Sequence, residues 1–163
     1  MNAVQEEVLF QREDDMPKAA EAPAVESRNY LIFIISDLKL GVDADYVVEI
    51  LNDYTITYLP MMPDYILGIY NMRGQIIPIL DVRLRLGKSP KEGGDSLVIV
   101  LNYKGTQLGI LVDSVELMID IPNHLIRPIP SQNTQKLVSG MCTLPDGAGT
   151  MLVLGCDQLM LHG

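Results

Sequence analysis

The second half of this chain repeats the first, and that repetition limits the folds open to it. The apolar run Tyr30-Leu31-Ile32-Phe33-Ile34-Ile35 is echoed by Leu97-Val98-Ile99-Val100-Leu101. Leu40-Gly41-Val42, followed by Val48-Glu49-Ile50, is answered by Leu108-Gly109-Ile110 and Val115-Glu116-Leu117, so glycine and glutamate recur at nearly constant offset. Gly68 and Asp81 find counterparts in Gly140 and Asp157. Each half has too few residues for a comfortable core of its own. A duplicated unit must therefore pack its two copies together, which leaves a groove between them suited to an elongated partner.

The repeated segments read as strands. The run from Tyr30 is rich in β-branched residues, a Ser36-Asp37-Leu38-Lys39 turn follows it, and Tyr46-Val47-Val48-Glu49-Ile50-Leu51 supplies the next strand. Residues 67–71 and 75–80 add two more. Five short strands with turns between them predict a small closed barrel, and two copies predict an all-β chain. Pro78 has no amide hydrogen, so its strand is expected at an edge or bulged there. The Gly-containing segment 88–95 marks the approximate boundary between the copies, and residues 122–133, with three prolines, read as a long loop.

The first 28 residues differ from the rest. They hold seven acids (Glu6, Glu7, Glu13, Asp14, Asp15, Glu21, Glu26) and show no sustained period, which predicts a flexible acidic arm over residues 1–28 and a folded unit over 29–163. Val8, Leu9 and Phe10 are the arm's apolar cluster. Across the chain 21 acidic residues outweigh 12 basic ones for a net charge of −9, which repels phosphate backbones and argues against nucleic acid. No apolar run approaches the roughly 18 residues a spanning helix needs, so no direct membrane insertion is expected. Cys142 and Cys156 read as inert core thiols of a reduced, cytoplasmic protein without a signal peptide.

Catalytic chemistry finds little to rest on. His124 and His162 lie in a proline-flanked loop and at the chain end, without the spacing of a metal site. Asp43, Asp45 and Asp53 do not continue into a calcium-loop pattern and suit turns and caps instead. Asp81 and Asp157 each precede a short apolar segment, where a carboxylate caps exposed amides. No phosphate loop occurs, and neither Ser114 nor Ser139 sits in a nucleophile elbow. The expectation is a chain with no enzymatic activity, cofactor or metal.

Two charges stand out because their neighbours are apolar: Glu49 in a strand, and Arg73 in the turn Asn71-Met72-Arg73-Gly74. They are candidates for an ion pair. A surface pair is worth at most about 1 kcal/mol, but an arginine with several directed donors on a projecting turn also suits an interface. Residues 59–87 as a whole read as strand, Asn-x-Arg-Gly turn, strand and a short helix capped by Gly87.

That stretch resembles, almost residue for residue, the central signature of the CheW family, adaptors that couple chemoreceptors to their histidine kinase. The likeness runs from about Tyr30 to Met160. It includes Gly41-Val42-Asp43 with Val47-Val48-Glu49-Ile50, Gly109-Ile110-Leu111-Val112-Asp113-Ser114-Val115, and Gly140 ahead of a last strand leading to Asp157. The resemblance implies two intertwined five-stranded SH3-like β-barrels with short helices and a non-catalytic scaffold. It implies two partners: the cytoplasmic tip of a methyl-accepting chemoreceptor and the regulatory domain of the kinase CheA. The positions matching the family's functional residues are Val47, Glu49 and Arg73, with Leu97 on the first strand of the second copy. Many family members continue into a longer C-terminal helix, so contacts made by such a helix are in doubt here. Two other readings are a paralogue that docks on a receptor without activating the kinase, and a small SH3-like peptide-binding module. The latter is disfavoured by 6% aromatics and no tryptophan.

Overall fold

The computed structural model describes residues 25–89, 94–129 and 137–161. In chain order its strands are β1 (Ser27–Ile35), β2 (Leu38–Asp43), β3 (Val47–Leu51), β4 (Ile66–Met72), β5 (Gln75–Leu80), β6 (Leu97–Tyr103), β7 (Thr106–Val112), β8 (Ser114–Pro122), β9 (Arg127–Pro128), β10 (Val138–Thr143) and β11 (Thr150–Leu154). One short helix, α1 (Cys156–Leu161), follows. β1 takes in Ser27 and Arg28, the last two residues of the segment read as an arm, because they pair with Pro122 and Ile121. Residues 1–24 of that segment, including Val8, Leu9 and Phe10, lie outside the described residues, as does His162.

The strands form two sheets, ordered β8-β1-β2-β11-β10-β9 and β3-β6-β7-β5-β4. The all-β, two-barrel class is therefore observed, with the two-residue β9 as a sixth strand of the first sheet. The barrels are intertwined because each sheet mixes the two halves of the sequence. The first combines β1 and β2 with strands from the second half, and the second combines β6 and β7 with β3, β4 and β5. Segment 88–95 thus joins two strands, β5 and β6, of the same sheet.

The registers make the repeat quantitative. Ile32 faces Gly41 across β1 and β2, as Val100 faces Gly109 across β6 and β7. A parallel strand then joins each hairpin at the glycine: β11 places Val153 beside Gly41, and β5 places Ile79 beside Gly109. The glutamate correspondence, however, is one residue out. A bulge in each edge strand leaves Glu49 opposite Val100 and Leu117 opposite Ile32, so Leu117 is the counterpart of Glu49 and Glu116 the counterpart of Val48.

Continuous apolar runs replace strict alternation in β1 and β6 because both faces of each strand are buried. Leu31, Phe33 and Ile35 enter a central core shared with Ile99, Leu101, Ile110 and Val112, whereas Tyr30 and Ile32 enter a smaller core inside the first barrel. Val98 and Val100 enter the matching core inside the second barrel. Three cores stacked in this way allow a short chain to bury most of its large aliphatic side chains, each worth about 1.5–3 kcal/mol.

Pro78 sits in an inner strand, yet it lies ahead of the point where β7 joins. β5 pairs with β7 only at Ile79 and Leu80, while Pro78 faces Ile69, whose own amide and carbonyl turn away to Thr57. The missing amide hydrogen therefore disrupts no ladder bond. Gly68 admits that same crossing of Thr57, since a Cβ there would run into the Thr57 carbonyl oxygen.

Among the described residues one charged side chain is fully interior. Arg83, 2% exposed, follows β5 and places Nη1 3.1 Å from Asp81 Oδ1 and Nη2 2.6 Å from Asp113 Oδ1. Asp81 also accepts from the Arg83 amide at 3.1 Å, one residue ahead of the 3-10 turn rather than as the helix cap read from the sequence, since Arg83 itself is the N-cap and no side chain caps that turn; the turn ends at Gly87 with φ 76. Asp113 lies where the chain leaves β7 for β8. Its Oδ2 accepts from the Ser36 amide at 2.6 Å, and its own amide donates to Ile34 at 2.8 Å. The arginine thus ties the end of one sheet to the hairpin turn of the other. Arg83→Ala should cost about 3–5 kcal/mol, the range for removing one partner of a buried pair, with both sheets melting in a single transition. Denaturant unfolding followed by far-UV circular dichroism tests this, and a loss below about 1 kcal/mol would show that the joint does not depend on Arg83.

Candidate functional site

Arg73 and Gly74 form a two-residue hairpin between β4 and β5 with φ of 53 and 88, the left-handed pair that matches the twist of the flanking strands. Asn71 holds the turn by accepting from the Gly74 amide through Oδ1 at 2.8 Å. The spacing Asn-x-Arg-Gly is therefore mechanical: the asparagine bonds the turn, the glycine adopts it without strain, and the arginine is carried to the tip. Asn102, Lys104 (φ 52) and Gly105 (φ 86) repeat the device between β6 and β7, with a 3.0 Å bond to the Gly105 amide.

From that tip Arg73 reaches across the mouth of the second barrel to edge strand β3, bringing Nη2 to 3.4 Å from Glu49 Oε2. The arginine side chain is 77% exposed and that of the glutamate 33%. Glu49 shares the inward face of β3 with Leu51, so the guanidinium lies over the open end of the core. In water such a pair adds at most about 1 kcal/mol, which leaves most of the guanidinium's donors available to a partner.

The other two candidate positions sit apart. Val47 and Leu97 are both half-buried and pack against the central core, but they occupy opposite ends of the β3 and β6 ladder. Val47 pairs with Leu101 while Leu51 reaches Val98. The structure therefore brings Glu49 and Arg73 together and keeps Val47 and Leu97 separate. Sequence reasoning missed the outward face of β3, where Val48 and Ile50 are 43% and 39% exposed, and the loop before β4, where Met61 is fully exposed at φ 62. The alternation around Glu49 could have revealed the former. Nothing in the local sequence marks a methionine as the residue placed at a positive φ.

The CheW-like domain profile matches residues 29–162. The chain belongs to the CheW-like domain family. Its similarity to a chemotaxis protein CheW of Klebsiella aerogenes is 34% identity over 104 residues, 63% of each chain. A CheW of Helicobacter pylori is 29% identical over 128 residues, 75% of each chain, and protein FrzA of Myxococcus xanthus is 31% identical over 114 residues, 69% of this chain and 71% of its own. The first of these alignments thus spans less than two thirds of its relative's length. Among solved structures, the scaffolding protein TtCheW of Thermoanaerobacter tengcongensis superimposes with a TM-score of 0.73 at 29% identity, covering 80% of this chain and 90% of its own.

The thiols have the environment of core residues. Cys142 and Cys156 are free and 3% and 5% exposed, and burial raises both pKa values. For Cys156, burial first and then the neighbouring Asp43 and Asp157 carboxylates push it up to about 12. A thiol held protonated in this way contributes stability below the unfolded thiol's pKa near 8.5 and loses it as pH rises toward 12. Chemical unfolding should accordingly become easier between about pH 9 and 11 for wild type, and less so for Cys156→Ala. An aromatic disulfide reagent at pH 8 should label both cysteines only after denaturation. Rapid labelling of the native protein would contradict the buried placement.

Proposed function

We propose that this chain is a non-catalytic chemotaxis scaffold that couples the cytoplasmic tips of methyl-accepting chemoreceptors to the regulatory domain of the histidine kinase CheA. It would work in the cytoplasm and reach the membrane through its partners; among the described residues no helix is long and apolar enough to cross one. The observation that carries the proposal is the Glu49 and Arg73 pair on the edge of the second barrel, in a chain whose family match covers residues 29–162. An adaptor needs surfaces that bind without turnover. A projecting guanidinium paired with Glu49 supplies directed hydrogen bonds, and the outward face of the same strand adds exposed Val48 and Ile50.

Co-sedimentation of receptor fragments and CheA, with and without this protein, tests the proposal directly. The protein should recruit the kinase to the receptor pellet. Arg73→Ala should leave the unfolding midpoint nearly unchanged, at a cost below about 1 kcal/mol, while partner affinity falls roughly tenfold or more. Glu49→Ala and the double variant complete a cycle in which non-additive binding losses establish coupling. Wild-type recruitment and kinase activation by Arg73→Ala would remove Arg73 from the interface. Val47→Asp and Leu97→Asp are informative only beside a folding measurement, because both side chains also pack on the central core.

A further inference from the structure

The duplication places a second joint opposite the one closed by Arg83, and among the described residues no arginine is buried in it. The match of Val153 to Ile79 across the two parallel pairings carries forward along the chain, so the counterpart of Asp81 is Gly155 and not Asp157 as the sequence repeat suggested, and Asp157 stands where the other copy has Arg83. By the same register Asp45 is the counterpart of Asp113. In place of a buried arginine between two carboxylates, this side has a cleft of about 310 Å³. Tyr30, Tyr46, Tyr103, Asp43, Gly155 and Asp157 are among the residues that line it. Tyr46 and Tyr103 stack edge to face with centroids 5.2 Å apart, which fixes one wall.

The charge in this cleft is unbalanced. The Asp43 side chain is only 12% exposed, and its partner Arg28, at the rim, is 58% exposed and holds it at 3.3 Å. Asp43 Oδ1 is engaged with the Asp45 amide at 3.0 Å. The field of Asp43 adds to burial in raising the pKa values of Tyr30, Tyr46 and Cys156. A cleft lined by the Asp43 and Asp157 carboxylates and by tyrosines favours a planar cation that can donate in a fork and pack against a ring. The volume is at the low end for ligand pockets, which fits a single side chain better than a folded element.

We infer that this cleft is a binding site for an arginine side chain of a protein partner, which displaces Arg28 from Asp43 at the side of the fold opposite Arg83. The net charge of −9 draws a basic segment toward the chain over long range. Arg28 acts as an internal stand-in, long enough to satisfy Asp43 and exposed enough to leave.

The probe is acetyl-arginine methylamide, titrated into the isotopically labelled full chain and followed by amide resonances. Shifts should centre on Asp43, Tyr46, Gly155 and Asp157. The acetyl-citrulline analogue, of the same shape but uncharged, should bind at least about tenfold more weakly. Asp43→Asn keeps a cap acceptor for the Asp45 amide and should retain the wild-type unfolding midpoint while losing about tenfold in probe affinity. Arg28→Gln, which removes the competitor, should tighten binding several-fold. Free L-arginine, whose α-carboxylate would meet the cleft's own acids, should bind more weakly than the capped probe; the reverse order would assign the cleft to a small molecule and overturn the inference. Equal binding of the citrulline analogue, shifts centred elsewhere, no shift at all, or weaker binding by Arg28→Gln would each overturn it as well.

Discussion

Everything in this fold passes through the contact of Arg83 with Asp81 and Asp113. Two barrels that exchange strands must be crossed by the chain, and each crossing carries polar backbone through a region that is otherwise apolar. Arg83 follows β5 in one sheet, Asp113 follows β7 on the way to the other, and the Asp113 carboxylate takes the Ser36 amide from the first hairpin turn. Burying a guanidinium costs several kcal/mol, and that cost is offset only when its forked donors meet well-placed acceptors. Here both terminal nitrogens do, at 3.1 and 2.6 Å. Hydrophobic burial alone would let the two barrels slide across a smooth central core. The ion pair penalises every arrangement except the one that satisfies it, and so sets the relative placement on which any inter-barrel surface depends.

Much of this architecture was readable from the residues. Continuous apolar runs at 31–35 and 97–101, a repeated Leu-Gly step and an Asn-x-Arg-Gly turn yielded the strands, the duplication and the projecting arginine. The exchange of strands between barrels entered only through the family resemblance, because periodicity reports which face a residue occupies and never which sheet its strand joins. Arg83 escaped notice for a related reason. A charge next to an aspartate in a short helical segment has the same local pattern whether it is solvated or interior, and burial is decided by Asp113, thirty positions away. The misaligned glutamates have a third cause. A bulge adds a residue to one strand without changing its composition, so Val115-Glu116-Leu117 matches Val48-Glu49-Ile50 by eye while the ladder pairs them one step apart.

That slip of one residue separates what duplication made alike. In both barrels an edge-strand glutamate pairs with a cation near the open end, but through different scaffolding. Glu49 meets Arg73 from a tight hairpin tip, whereas Glu116 meets Lys39 from β2 at 3.3 Å, and Lys39 also bonds the Ala148 carbonyl at 2.9 Å in the loop between β10 and β11. The Lys39 nitrogen is thereby shared between two acceptors of its own chain, while the mostly exposed Arg73 retains donors to offer. Beside these pairs the first barrel exposes Leu117 and Met118, each 53%, and the second exposes Val48 and Ile50. Unbranched methionine adapts to a partner's contour, while β-branched residues present a stiffer surface. The duplication thus leaves two surfaces at equivalent positions with unlike chemistry. A perfectly symmetric duplication would present one surface twice, with nothing in its chemistry to distinguish one contact from another.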